Sequence, residues 1–385
     1  MSVKIMKNKF IVNFILFFFC CASVFAQTQH DWWYTLERGK QMYRQGDYGS
    51  ALLAFEDARR QRRVMYERLE RHLINLLSIT EVRRIGDSLD LVERYIDERR
   101  YTDAGEALAE LYYRIPRENF NNSAAAALTA LGTLKDYPEA EYWIGETYLI
   151  EGELRLAQSQ FQKAYDLRQL LENPGFATEL LYKIAAICRT RQEYNDMERN
   201  LLTILSGDKL WSGGGIGASG AFERQALTRT LENNGINRFL TLYRYRDTET
   251  ELAHRLLGLY YYSSGRHGRA QEHLMFSFLI QNTVIIEYVI RNRFDYAFEP
   301  VKELTAIEAL ALEISRYPLL ANFAETNEYY KTAYYLAASL YGNGKTAPAR
   351  EIWSFLATQN AAGEWQARSA GQLRAPHVER LVEMP

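Results

Sequence analysis

Cysteine is nearly absent from this chain: 385 residues contain three, and two of these, Cys20 and Cys21, lie in an apolar opening segment. Without that segment only Cys188 remains, so no intrachain disulfide can form and stability has to come from packing. Proline is also scarce, with eight residues, and the six histidines show no metal-ligand spacing. Because 47% of residues are hydrophobic and 24% charged, the chain can bury a large core and is not disordered. After the opening segment no stretch reads as long and apolar enough to cross a bilayer, so a mature chain without membrane insertion is expected.

The opening segment itself reads as a processing signal. Lys4, Lys7 and Lys9 precede an apolar run from Phe10 to Cys21, and Val24-Phe25-Ala26 supplies small residues for cleavage, so residues 1–26 are expected to leave and Gln27 to begin an exported or periplasmic protein. An uncleaved anchor is the lesser reading because the apolar run is shorter than the ~20 residues of a spanning helix. Lipid attachment is disfavoured because Phe19 precedes Cys20, where lipoprotein signals carry a small residue.

Removing residues 1–26 takes away three lysines and no acids, leaving 43 basic against 48 acidic residues, a formal net charge of −5. Such a mildly acidic body excludes an electrostatic footprint for nucleic acid. The one basic cluster, Arg59-Arg60-Gln61-Arg62-Arg63, is followed by Glu67, Arg68, Glu70 and Arg71, so it reads as a solvated helix face.

One pattern recurs along the chain: a small residue, an aromatic, glycine, an aromatic, alanine, a large apolar residue and alanine. Its closest copies read Gly39, Met42, Gly46, Tyr48, Ala51, Phe55, Ala58; then Ile144-Gly145, Tyr148, Gly152, Leu154, Ala157, Phe161, Ala164; then Leu257-Gly258, Tyr261, Gly265, His267, Ala270, Leu274. Weaker copies run through Leu91, Tyr95, Tyr101, Ala104 and Leu108; through Ile184-Ala185, Cys188, Tyr194, Met197 and Leu201; and through Leu336-Ala337, Leu340, Gly344, Ala349, Trp353 and Leu356. Apolar spacings of three and four give the helical period. Small residues in the first helix let its partner approach closely, and Gly46, Gly152, Gly265 and Gly344 stand where the first helix should end in a left-handed residue.

These spacings resemble the tetratricopeptide-repeat (TPR) family, and the resemblance covers roughly half of the mature chain. It implies an all-α fold, a TPR-like α-solenoid of stacked antiparallel helix pairs. Departures are informative. Gly39, Val92, Gly145, Ala185, Gly258 and Ala337 are separated by 53, 53, 40, 73 and 79 residues, whereas uninterrupted arrays repeat every ~34, so extra helices must be inserted. Arg62 to Ile85, Ala124 to Leu134 and Pro300 to Arg316 read as such helices, Ala221 to Arg244 as a degenerate pair broken at Asn233-Asn234-Gly235, and Glu364 to Arg374 as a cap. Ser206 to Gly220 holds six glycines and is the expected boundary, giving repeats over 27–206, a linker over 207–220 and further repeats over 221–385.

Several motifs invite a catalytic reading and fail it. Gly215-Ile216-Gly217-Ala218-Ser219-Gly220 has the glycines of a dinucleotide loop but no strand before it. Gly342-Asn343-Gly344-Lys345-Thr346 resembles the end of a phosphate loop, yet Ser339 replaces the leading glycine and Tyr334 to Tyr341 reads as helix. Glu251 and His254 sit one turn apart, as in helical carboxylate metal sites, without the second pair such a centre needs. Cys188 occupies a core position and is expected to be inert. No catalytic residue, cofactor or metal is therefore expected.

Tyrosine carries the functional content, with 27 residues beside 6 tryptophans. The TPR resemblance implies that first-helix side chains on the inner curve hold a partner, and Tyr43, Tyr142, Tyr182, Tyr262, Tyr334 and Tyr341 take those places. The competing reading covers these rings with added helices as ordinary core. The Lys-Asn set with which some TPR domains clamp a C-terminal carboxylate is absent. The expectation is a protein- or peptide-binding scaffold of the cell envelope. A small-molecule or lipid carrier with a cavity between repeats is the alternative.

Overall fold

The computed structural model describes residues 32–77, 86–114, 131–208, 211, 219–293, 298–304 and 306–380, and helix is the only regular structure among them. The expected signal peptide, most of the glycine-rich segment 207–220 and most of the helix expected over Ala124 to Leu134 lie outside these residues. Tertiary contacts divide the chain into two compact units at Ile187/Cys188, ahead of the expected linker.

In the first unit α1 (Trp32–Arg44) pairs with α2 (Tyr48–Leu77), α3 (Gly86–Asp97) with α4 (Tyr101–Arg114), and α5 (Pro138–Ile150) with α6 (Leu154–Asp166); α5 also packs on α2. Helix α7 (Phe176–Thr190) begins in this unit and ends in the second. No separate helix is inserted after Arg62, because α2 runs unbroken for 30 residues. Nor is the Arg59–Arg63 cluster simply solvated. Arg62 is buried, donating to the Leu134 carbonyl at 2.8 Å and lying 4.6 Å from the Tyr137 ring centre, while Arg59 meets Glu141 at 3.0 Å. Each guanidinium has a specific protein partner in place of water.

The second unit continues with α8 (Tyr194–Ser206), α9 (Ser219–Leu242), α10 (Glu251–Ser263), α11 (His267–Asn292), α12 (Pro300–Glu303), α13 (Ile307–Arg316), α14 (Pro318–Thr326), α15 (Tyr329–Gly342), α16 (Thr346–Ala357) and α17 (Glu364–Arg374). The cap expected at Glu364–Arg374 is thus a helix, and Pro300 to Arg316 holds two short helices where one was expected. As expected, α9 is broken, at Gly235 with φ 77° and ψ 178°. The carboxylate of Glu351 on α16 accepts the Ile236 amide exposed by this break at 3.1 Å.

Helix α11 contacts α9, α10, α13 and α15 and forms the centre of the unit. The expectation that no later segment is long and apolar enough to cross a bilayer fails here: α11 has that length and composition, and most of it is buried within the protein. A core helix surrounded by other helices is apolar on all faces for the same reason as a spanning one.

The turns within helix pairs follow one rule. Gly46, Arg99, Gly152, Gln192, Gly265 and Gly344 all have positive φ, between 60° and 82°, and each stands two residues before the second helix. In every case its amide donates three residues back and the next amide five residues back, as in Gly152 to the Leu149 carbonyl (3.2 Å) and Glu153 to the Tyr148 carbonyl (2.9 Å). This double bond closes the last carbonyls of the first helix, and glycine adopts the required conformation without a Cβ clash. Seven residues before these six positions stand Gly39, Val92, Gly145, Ala185, Gly258 and Ala337, the small residues matched in the sequence.

At Gly145 the reason for smallness is direct. A Cβ there would lie 2.7 Å from the ring of Phe161, which is fully buried with Ala157 and Ala164. Gly145→Leu should therefore cost ~1–3 kcal/mol by overpacking, whereas Gly49→Leu, where a Cβ meets nothing within 4 Å, should be neutral or stabilising. Urea midpoints for the two variants check this, and equal midpoints would contradict close approach at Gly145.

Candidate functional site

The second unit contains a groove floored by tyrosines. Tyr262 projects from α10, Tyr334, Tyr335 and Tyr341 from α15, and Trp365, Arg368 and Gln372 from α17. Spacings of seven on α15, and of three and four on α17, place these side chains on common helix faces. Arg368 stacks over Trp365 at 4.6 Å and Tyr334 at 4.8 Å from the ring centres. Its charge is spread over aromatic faces.

An irregular segment of the same chain, Ala375 to Arg380, lies along this groove. Pro376 explains its conformation, because the residue before a proline is pushed out of the helical region, and Ala375 has φ −141° and ψ 80°. The Tyr341 hydroxyl donates to the Pro376 carbonyl at 3.2 Å, and the Tyr262 hydroxyl to the Glu379 carbonyl at 2.9 Å. The His377 amide donates to Gln372 Oε1 at 2.9 Å, and Gln372 Nε2 returns a bond to Glu379 Oε1 at 3.1 Å. Arg368 completes the site with an ion pair to Glu379. Pro376 and Glu379 are half-buried while His377, Val378 and Arg380 are exposed.

Burial opposes ionisation of Glu379, but hydrogen bonds from Tyr334 and Arg368 outweigh it and hold the carboxyl below its ordinary range. Burial would lower Arg368, yet Glu379 raises it above the usual guanidinium value. Burial is the first cause raising the Tyr334 and Tyr262 hydroxyls, so both stay protonated donors.

The six sequence-selected tyrosines thus divide. Tyr262, Tyr334 and Tyr341 meet around the irregular segment, though Tyr262 and Tyr334 have no free face because that segment and α17 cover them. In the first unit Tyr43 and Tyr142 flank Trp143 with ring centres 5.4 Å away in each case. Tyr142 is buried and its hydroxyl donates to Glu179 at 2.5 Å; Tyr43 is half-buried, its hydroxyl pushed up to about 12 chiefly by burial. Tyr182 is half-buried on α7. An open groove is therefore not the setting of Tyr142, Tyr262 or Tyr334; the competing reading, with added elements covering the rings, describes them. Trp365, Arg368, Gln372 and Glu379 were missed in the sequence. The Ala-Pro step that ends a helix of Trp, Arg and Gln at spacings of three and four was the available signal.

The rejected chemical motifs fall into place. Glu251 and His254 diverge: Glu251 bonds Arg255, Ser277 and Gln281, whereas His254 Nδ1 faces His273 Nδ1 at 3.1 Å. Among the described residues no group of three or more His, Cys, Asp or Glu is placed to hold a metal ion. Lys345 follows the left-handed turn at Gly344, and Tyr334 to Tyr341 is helical. Cys188 is buried, its thiol pushed up to about 11, mainly by burial. The dinucleotide-like glycines up to Ala218 lie outside the described residues.

The histidine pair has a measurable consequence. Both rings are buried beneath Trp211, and burial pushes His254 down to about 3 and His273 well below its ordinary value, helped by His254, Arg269 and Arg224. A histidine neutral when folded gains a proton on unfolding below its ordinary value of ~6.5, so this contribution is complete above pH 6.5 and declines as pH falls toward the folded value. The slope is ~1.4 kcal/mol per pH unit per ring, so His254 alone should remove ~2 kcal/mol between pH 6.5 and 5. Urea unfolding at both pH values should show the drop, and His254→Asn should reduce it, leaving the share of His273.

The chain is similar to an "uncharacterized protein" of Treponema pallidum (strain Nichols), 25% identical over 344 residues covering 89% of this chain and 90% of the relative. It is also similar to an "uncharacterized protein" of Borreliella burgdorferi (strain ATCC 35210 / DSM 4680 / CIP 102532 / B31), 23% identical over 223 residues covering 53% of this chain and 66% of that relative. No family model and no solved structure matches the chain.

Proposed function

We propose that this protein is a TPR-like α-solenoid acting as a protein–protein interaction scaffold, holding an extended segment of a protein partner rather than catalysing a reaction. The observation that carries this reading is the groove itself. Its hydroxyls donate to backbone carbonyls and its charged face receives one side chain, which is how extended peptides are held. The recurrent helix-pair turns support the TPR relation. Export after cleavage near Ala26 would place the scaffold in the cell envelope, where it could belong to a larger assembly. N-terminal sequencing of the mature protein tests that placement, and a chain beginning at Met1 or a lipidated Cys20 would refute it.

Photo-cross-linking in intact cells tests the scaffold. A photoreactive residue at Trp365 should capture a discrete protein, while one at Leu53, exposed on α2 of the first unit, serves as a control. Equal capture at both positions, or none at Trp365, would count against the groove.

A second reading, a small-molecule carrier, draws on a half-open cleft of about 500 Å³ lined by Tyr330, Lys331, Glu328, Ala324 and Trp365. The Tyr330 hydroxyl is buried there without a hydrogen-bond partner. Native mass spectrometry of protein purified from the envelope separates the readings, since a carrier retains a bound small molecule.

A further inference from the structure

We propose that Ala375 to Arg380 occupies, within its own chain, a site for a peptide segment bearing one carboxylate side chain, which Arg368, Gln372 and Tyr334 receive. This rests on the scaffold reading and names the chemistry of the occupant. The two tyrosine hydroxyls that hold the segment both address backbone carbonyls, of Pro376 and Glu379, and so do not select for a side chain. Selectivity comes from the Glu379 side chain, which meets Arg368 and Gln372. The Arg368 charge is held in place by three aromatic rings, Tyr334, Tyr335 and Trp365, independently of the segment. The receptor is thus built on helices, and only the occupant is irregular.

The occupant is also lightly held. His377, Val378 and Arg380 point outward, and Val378 is 46% exposed. Attachment adds to the hydrogen bonds and ion pair that hold the segment, since α17 ends at Arg374 immediately before it. A tether this short raises the effective concentration of the segment to the millimolar range or above, enough to exclude a free peptide of similar affinity. An external carboxylate-bearing segment would therefore enter only when the internal one is released. The structure shows the site in its self-occupied form.

The test keeps the full chain intact. A fluorescein-labelled peptide of residues 374–380 is titrated by anisotropy into the wild-type chain and into the full-length Glu379→Ala variant, whose internal segment has lost the carboxylate that meets Arg368 and Gln372. A second probe is the same peptide carrying Glu379→Gln. The native probe should bind the variant at least ten-fold more tightly than it binds wild type, and at least ten-fold more tightly than the Gln probe binds the variant. Equal binding of the two probes would overturn the carboxylate receptor. Equal binding of the native probe to both chains would overturn self-occupancy, and binding to neither would overturn the site. Because the second comparison is read on the probe, misfolding of a protein variant cannot mimic it. If the probes fail while Trp365 still cross-links a discrete protein, the scaffold stands and this assignment falls.

Discussion

Tyr142→Ala is expected to destabilise the first unit by ~3–5 kcal/mol, the range for truncating a buried aromatic side chain. Its ring is 6% exposed and contacts Trp143, Phe161 and Phe176 with centres 5.4, 5.9 and 5.2 Å away. The side chain also lies beneath the Lys183 ammonium, 5.5 Å from the ring centre, and its hydroxyl is held by Glu179. Tyr142→Phe isolates the hydroxyl. It should cost ~1 kcal/mol, the scale of an ordinary hydrogen bond rather than the ~1.5–3 kcal/mol of bonds to charged groups, because Glu179 is half-exposed and can turn to water. Tyr182→Ala, removing a half-buried ring, should cost less than Tyr142→Ala. Guanidinium titrations of the three variants check the order. A Tyr142→Ala protein as stable as wild type would mean that the ring packs on nothing and faces an open surface after all.

Glu251→Ala is expected to cost ~3–5 kcal/mol, because it strips a buried cation of a partner. Glu251 is 6% and Arg255 7% exposed, and Glu251 Oε1 gathers Arg255 Nε at 3.2 Å with Ser277 Oγ and Gln281 Nε2 both at 2.7 Å. After substitution three donors lose this acceptor. Arg255 keeps Glu328 at 2.5 Å, which sets the effect at the lower end of the range. Glu251→Gln retains an acceptor oxygen and should lose less. The double variant Glu251→Ala/Arg255→Met should recover part of the loss, since removing both charges ends their desolvation cost. A single-variant loss below ~1 kcal/mol would show that this cluster behaves like a surface pair.

The same two sites show where sequence reasoning stops. Glu251 and His254 share a helix and a one-turn spacing, which is all that periodicity reports. Which neighbour each side chain meets depends on α11, supplying Ser277 and Gln281 to one and His273 to the other. The helix pairs were legible because their determinants are local. Gly152 closes a turn through bonds to Leu149 and Tyr148, and Gly145 admits Phe161 from the adjoining helix. Even Arg99 and Gln192, where no glycine marks the turn, adopt the same positive φ and close the turn with the same pair of bonds. The tyrosine groove was legible in part: Tyr262, Tyr334 and Tyr341 were found by repeat position, but what covers them comes from residues outside any repeat, Ala375 to Arg380. The length of α2 was misread because the charged run after Arg62 looked like a new helix, whereas nothing between Arg62 and Leu77 breaks the old one.

The broken helix α9 bears on the order in which the second unit assembles. Helix-pair turns close through bonds spanning three and five residues, so their loop entropy is small and they can form early. The break at Gly235 has no such local closure. Its exposed amide waits for Glu351, on a helix more than a hundred residues later in the chain, and Glu351 stands so close that a Cβ at Gly235 would meet its Oε2 at 2.1 Å. The bend in α9 is therefore expected to be fixed only when α16 docks, because until then the Ile236 amide lacks its Glu351 acceptor.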